Sequence, residues 1–111
     1  MELQIYQVDA FADKIFAGNP AGVCPFDKWV DDDIMQKIAM ENNLAETSFF
    51  VKKDDGKYHI RWFTPVTEVD LCGHAALASV YVLFNSENYK GESILFYSYR
   101  SGNHCANEKG I

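Results

Sequence analysis

Positive charge is scarce in this chain of 111 residues: 10 Lys and Arg stand against 16 Asp and Glu, a formal net charge of -6. With no basic cluster, the chain lacks the electrostatic footprint of a nucleic-acid binder. An acidic chain is also a poor match for an anionic membrane surface. No apolar run approaches the ~20 residues that a membrane-spanning helix needs. The first stretch, MELQIYQVDAF, lacks the basic-then-apolar order of a signal peptide. Cysteine is rare too. Cys24, Cys72 and Cys105 are odd in number and widely spaced, which fits a reducing, cytoplasmic compartment better than a disulfide framework. There is no internal repeat and no low-complexity segment. What remains, 48% hydrophobic and 14% aromatic, is the composition of one folded domain rather than a disordered chain.

The organising stretch is DLCGHAALASVYVLFN, Asp70 to Asn85. Cys72, Gly73 and His74 read as a tight turn that feeds a helix over Ala75 to Phe84. That helix carries no charge on any side, so it belongs in the interior, with other elements wrapped round it. Its amino end offers unpaired N–H groups and a partial positive charge, a seat for a carboxylate. Gly73 lets a ligand approach the backbone closely, and His74 brings an imidazole to the same point.

Elsewhere, Leu3 to Asp9 reads as a strand, and Ala17-Gly18-Asn19-Pro20-Ala21-Gly22 as a turn leading to a short strand at Gly22-Val23-Cys24. Val30 to Asn43 is an amphipathic helix. Asp31 is its N-cap, Asp32 and Asp33 suit its positive end, and Val30, Ile34, Met35, Ile38 and Ala39 form its apolar side. Asn42-Asn43 end it. Ser48 to Val51 and Tyr58 to Phe63 are strands joined through the turn signal Lys53-Asp54-Asp55-Gly56-Lys57. Val66 to Leu71 is an extended piece, Ile94 to Tyr97 another strand, and the chain from Gly102 on shows no periodicity and reads as a tail. Strands and helices mixed with a hairpin give an α+β class with a mixed, largely antiparallel sheet curled around the apolar helix.

Glu46 lies between the amphipathic helix and a very apolar strand, where solubility does not require a carboxylate. At the mouth of an apolar pocket its neutral form would be favoured, which suits proton transfer. The alternative is a loop glutamate that is exposed or caps a backbone N–H. His74 is either a satisfied core ring or a site residue. Asn19 either bonds its own backbone or points its amide at a ligand. Cys72 is a packing residue, a thiolate nucleophile at a helix start, or a metal ligand with His74. A zinc site would need further ligands, and the irregular His104-Cys105 pair is all that the sequence offers, so no metal is expected. His59 falls on the polar face of the hairpin and is expected to be exposed.

Several strings, in order, carry a family resemblance: Val8-Asp9-Ala10-Phe11, Phe16 to Cys24, Met35 to Ala39, Asn43-Leu44-Ala45-Glu46-Thr47, Arg61-Trp62-Phe63-Thr64-Pro65 and Glu68 to Ala75. Over roughly Ile5 to Asn85 the chain resembles the amino-terminal half of the phenazine-biosynthesis PhzF-like proteins, which share the diaminopimelate epimerase fold. The resemblance implies two similar domains, each a sheet around a central helix, and cofactor-free isomerase or epimerase chemistry on a small carboxylate. It puts the proton-shuttling glutamate at Glu46 and the active-site histidine at His74, with Gly73 as a backbone donor to substrate. The epimerase relatives have a catalytic cysteine at the place of Cys72, which here becomes a bystander.

Family members are more than twice as long, and their second domain supplies the other cleft wall. The expectation is therefore an amino-terminal domain over residues 1–111, truncated, with residues 100–111 an irregular tail that leaves the family pattern at Asn103. Uncovered apolar surface would then favour homo-oligomers. Two rivals to the isomerase are a catalytically incomplete half-domain that only folds or self-associates, and a thiol enzyme using Cys72.

Overall fold

The computed structural model describes residues 5–8, 21–53, 56–70, 73–85, 91 and 93–107. Its elements, in order, are β1 (Tyr6–Val8), β2 (Ala21–Phe26), α1 (Asp32–Asn42), β3 (Glu46–Lys52), β4 (Tyr58–Phe63), β5 (Glu68–Val69), α2 (Gly73–Asn85), β6 (Ser93–Ser98) and β7 (Gly102–Asn107). The strands form one seven-stranded sheet in the order β1-β2-β3-β4-β6-β7, with β5 beside β4. The pairs β1/β2, β3/β4, β4/β5 and β6/β7 are antiparallel, and β2/β3 and β4/β6 are parallel. The α+β, mixed and largely antiparallel sheet expected from the sequence is the one observed.

The two parallel pairs explain where the helices go. Each needs a crossover, and α1 joins β2 to β3 while α2 joins β4 to β6. Both crossovers step the same way across the sheet, but β4 runs opposite to β2. The right-handed crossover rule then puts α1 and α2 on opposite faces. Strand alternation sorts the side chains accordingly. Val23, Phe50, Tyr58, Ile60, Trp62, Ile94, Phe96 and Ala106 pack with Ala75, Ala76, Ala78, Val80, Val82 and Leu83 of α2. Cys24, Phe49 and Phe63 pack with Met35, Ile38 and Ala39 of α1 on the other face. Cluster members come from β2 through β7, so the sheet curls around α2 as its uncharged sequence implies. Among the described apolar side chains of that helix Tyr81 is the one that faces out, 57% exposed.

α1 ends much as its sequence suggests. Asp31 holds the N-cap position with extended dihedrals, although its side chain makes no capping bond. Its carbonyl accepts instead from the N–H groups of Ile34 and Met35 at 3.0 and 3.1 Å. Asn43 closes the helix in the left-handed region (φ 53°), its N–H donating to the Ala39 carbonyl at 3.3 Å. The buried stripe is Met35, Ile38 and Ala39; Ile34, expected inside, is 41% exposed.

Two expectations change. The segment from Gly102, read as an irregular tail, is β7, paired with β6 from Ser93↔Asn107 to Ser98↔Gly102. Its residues alternate, with Ala106 buried and Cys105 exposed, but few are apolar enough to show it in sequence. His59 is half-buried rather than exposed, its ring centroid 5.0 Å from that of Tyr97.

Gly22 occupies a tight spot beside the start of β3. A Cβ there would lie 3.1 Å from Thr47 Oγ1, 3.2 Å from Leu44 Cδ1 and 3.3 Å from Asn42 Nδ2. Thr47 is fully buried and cannot swing away. Gly22→Ala is therefore expected to destabilise by about 1–2 kcal/mol through overpacking, read as a lower midpoint in urea unfolding.

Candidate active site

Glu46 opens β3 and is half-buried. Alternation puts it on the same side of the strand as Ser48 and Phe50, the side that faces α2. Ser48 shows how closely the two elements meet. Ser79 of α2 donates its hydroxyl to Ser48 at 2.8 Å, and both hydroxyls converge on the Ala75 carbonyl, at 3.0 and 3.5 Å. These buried groups pin the start of β3 to the first turns of α2. A crossover helix runs against the strand before it, so α2 is antiparallel to β4 and parallel to β3. Stepping back from Ser48 to Glu46 thus moves toward the amino end of α2.

The route of the chain agrees. β5 pairs with the last residues of β4, Trp62↔Val69 and Phe63↔Glu68. Those same residues face Ser48 and Thr47 of β3. Four residues after Val69 the helix begins at Gly73. Glu46 and the amino end of α2 therefore share one end of one sheet face. The N–H groups of that first helical turn have no intrahelical acceptor and carry the positive end of the dipole.

Of the expected site residues, the register and chain order put Glu46 and Gly73 at the same end of the sheet. His74 is the second residue of α2, but its side chain lies outside the described residues, as do Cys72 and Asn19 altogether. Cys24, by contrast, is fully buried, and desolvation pushes its thiol up to about 12, so it is a packing residue. Among the described residues no group of three or more His, Cys, Asp or Glu is arranged to hold a metal ion. Nor is any described helix long and apolar enough to cross a membrane.

Sequence reasoning missed an ion-pair network on the opposite face. Arg61 Nε and Nη2 donate to the two carboxylate oxygens of Glu68, each at 2.8 Å, and Nη1 donates to Asp32 Oδ1 at 2.8 Å. The Tyr99 hydroxyl donates to Glu68 Oε1 at 2.9 Å. The Arg61 guanidinium carbon sits 5.0, 5.5 and 5.8 Å from the ring centres of Tyr99, Phe63 and Trp29. Two of these partners, Asp32 and Tyr99, are far away in sequence, so no local pattern announces them. A groove of about 350 Å³ opens over this network, between Trp29, Asp32, His59, Arg61, Tyr97 and Tyr99. It lies on the α1 side of the sheet, away from Glu46.

His104, expected in the tail, is a half-buried residue of β7. Its Nε2 lies 3.0 Å from the Ser101 hydroxyl, and its ring stands edge to face with that of Trp62, centroids 6.2 Å apart. Trp62 Nε1 is buried with no hydrogen-bond partner, the one such side-chain atom among the described residues.

Comparison with known proteins gives this architecture a family. The family model described as Phenazine biosynthesis-like protein matches residues 8–110. An uncharacterized isomerase of Pseudomonas aeruginosa is 54% identical over 110 residues, which cover 99% of this chain and 42% of that protein. A human Phenazine biosynthesis-like domain-containing protein is 44% identical over 103 residues, 86% of this chain and 36% of the relative. The crystal structure of a PhzF-family phenazine biosynthesis protein from Enterococcus faecalis superposes with a TM-score of 0.89 at 48% identity, over 97% of this chain and 41% of that one. A predicted epimerase from Pseudomonas aeruginosa, at 24% identity and a TM-score of 0.71, shares the fold. The likeness runs through Asn103 and β7, so the family pattern does not stop before the last strand as the sequence reading expected. The chain spans well under half the length of these relatives. The family match over residues 8–110 and the structural likeness over 97% of the chain place it: the chain belongs to the phenazine biosynthesis-like, PhzF family.

Proposed function

We propose that this chain carries the proton-transfer wall of a cofactor-independent isomerase or epimerase acting on a small carboxylate. The observation that carries this reading is the placement of Glu46 and the amino end of α2 at one end of one sheet face. Relatives named as isomerases support the reaction class.

In this scheme the substrate carboxylate sits at the first turn of α2, held by the Gly73 N–H and by His74. Glu46, ionised, takes a proton from the carbon beside the carboxyl or its conjugated system. The electron pair left behind spreads into that system, and the helix N–H groups stabilise the anion as its charge grows. Glu46, now a carboxylic acid, returns the proton on the same face to a conjugated carbon further on; inversion at the same carbon would need a second acid on the opposite wall of the cleft. Atoms and charge balance with no net loss of a proton, and no step uses a metal or nucleotide. A positioned acid/base of this kind contributes about 10²–10⁴-fold to a rate.

The test follows isomer conversion by NMR across a panel of chiral and unsaturated amino and hydroxy acids. Glu46→Gln, nearly isosteric, is expected to lose about 10²–10⁴-fold in conversion rate while its unfolding midpoint stays near that of the parent. Equal rates in the two proteins, or no conversion of any member of the panel by the parent, would remove this assignment.

A further inference from the structure

The strand that leads from β4 towards α2 is short. β5 is two residues long and pairs with β4 at two positions only, Trp62↔Val69 and Phe63↔Glu68. Ladders that short are not independently stable. Yet this segment must bring Gly73 to one place, because the first turn of α2 is the anion seat of the site.

The polar contacts concentrate where the ladder is weakest. The Thr64–Thr67 turn closes on itself, the Thr64 N–H donating to the Thr67 carbonyl at 2.8 Å and the Thr67 N–H to Thr64 Oγ1 at 3.1 Å. Gln36 of α1 donates to the Thr64 carbonyl at 2.9 Å. Beyond the turn, Glu68 is gripped from three sides. Arg61 forks both carboxylate oxygens, and Tyr99 donates to one of them. Arg100 Nη1 donates to the Glu68 backbone carbonyl at 3.2 Å, and its Nε pairs with Asp70 Oδ1 at 3.3 Å. Arg61 is itself fixed by Asp32 at the start of α1 and by three aromatic rings. The Arg61 and Glu68 side chains are each 13% exposed, so both have given up most of their hydration to this arrangement.

These side chains lie on the α1 face and cannot touch a substrate at Glu46. What they share with the site is backbone: Glu68 and Asp70 precede Gly73 by five and three positions. We propose that Arg61, with Arg100, is a positioning residue, whose clamp on Glu68 and Asp70 sets where the amino end of α2 stands. The role rests on the proposed site for its meaning, but not for its test. A planar fork holds a carboxylate in one orientation, whereas a lysine ammonium holds it at a point. Arg61→Lys therefore keeps the charge and loses the alignment.

Amide hydrogen exchange and ¹H–¹⁵N spectra read the clamp without any turnover, so their outcome is separate from that of the Glu46 experiment. The amides of Leu77 and Ala78 bond back to the carbonyls of Gly73 and His74 in a regular helix. In Arg61→Lys and in the milder Arg100→Gln they are expected to exchange about tenfold faster through local opening, with the Gly73 cross-peak displaced. Exchange at Val23 and Cys24, on β2 and away from Arg61, is expected to rise by a clearly smaller factor than at Leu77 and Ala78 on the same argument. An ion pair that merely stabilised the whole fold would speed all four amides alike. That uniform pattern would overturn the proposal, as would parent-like exchange at Leu77 and Ala78 in variants that fold. Should Arg61→Lys fail to fold, Arg100→Gln and Tyr99→Phe carry the same two readings.

Discussion

Phe49→Ala should cost about 3–5 kcal/mol of stability. Phe49 is fully buried in β3, and its ring centre lies 5.5 Å from that of Phe26 and 5.4 Å from that of Phe63, the latter edge to face. It is the largest fully buried side chain between the sheet and the Met35, Ile38 and Ala39 stripe of α1. Truncation removes the apolar transfer energy and leaves a void that the sheet face and a short helix cannot both collapse into. A domain of this size holds roughly 5–15 kcal/mol in all, and each kcal/mol moves the midpoint by about 4–8 °C near 60–100 residues. Thermal unfolding should therefore show a fall of at least ~12 °C. A fall of only a few degrees would mean that α1 does not pack on Phe49 as described.

The second large effect is at Arg61. Arg61→Met keeps most of the stem and removes the cation, leaving Glu68 without its fork in a site that is mostly out of water. The expected loss is about 2–3 kcal/mol, below the figure for fully buried pairs because the Asp32 partner is 73% exposed. Acid titration gives an independent reading. The Arg61 hydrogen bond, opposed by slight burial and aided by the Arg61 charge, holds the Asp32 carboxyl below its usual range. Burial alone would raise Glu68, but the bonds from Arg61 and Tyr99 and the charges of Arg61 and Arg100 outweigh it and hold that carboxyl low as well. A carboxyl whose folded pKa is depressed contributes stability that is complete above its unfolded value, near 4, and is lost as pH falls through the folded value. The parent should thus lose stability below about pH 4 more steeply than Arg61→Met, in which Arg61 no longer favours the ionised forms. Parallel curves for the two proteins in urea unfolding from pH 7 down would contradict this account of the network.

Much of this was legible from residues alone, for reasons that differ by element. α2 could be read because a helix without a charge on any side has one place to go. α1 could be read from its Asp-rich start and its Asn43 stop, but not the rotation that turns Ile34 out. That is set by where Cys24, Phe49 and Phe63 lie on the sheet, which is tertiary information. β7 escaped notice because GNHCAN is held by its backbone ladder to β6 more than by apolar side chains. Glu46 stood out as a carboxylate in an apolar setting, and the step from Glu46 to Ser48 then fixes the face it takes. The Arg61 network could not be read at all. Its members come from α1, β4, β5 and the β6–β7 turn, and only folding brings them together.

The central claim is that the residue-46 carboxyl passes a proton to and from a substrate carbon. Its most direct measurement is deuterium uptake at that carbon in heavy water, followed by mass spectrometry for any carboxylate that the parent protein converts. The account predicts label in recovered substrate as well as in product with the parent, and neither with Glu46→Gln. Label entering at the parent's rate in Glu46→Gln, or conversion by Glu46→Gln at the parent's rate, would contradict it.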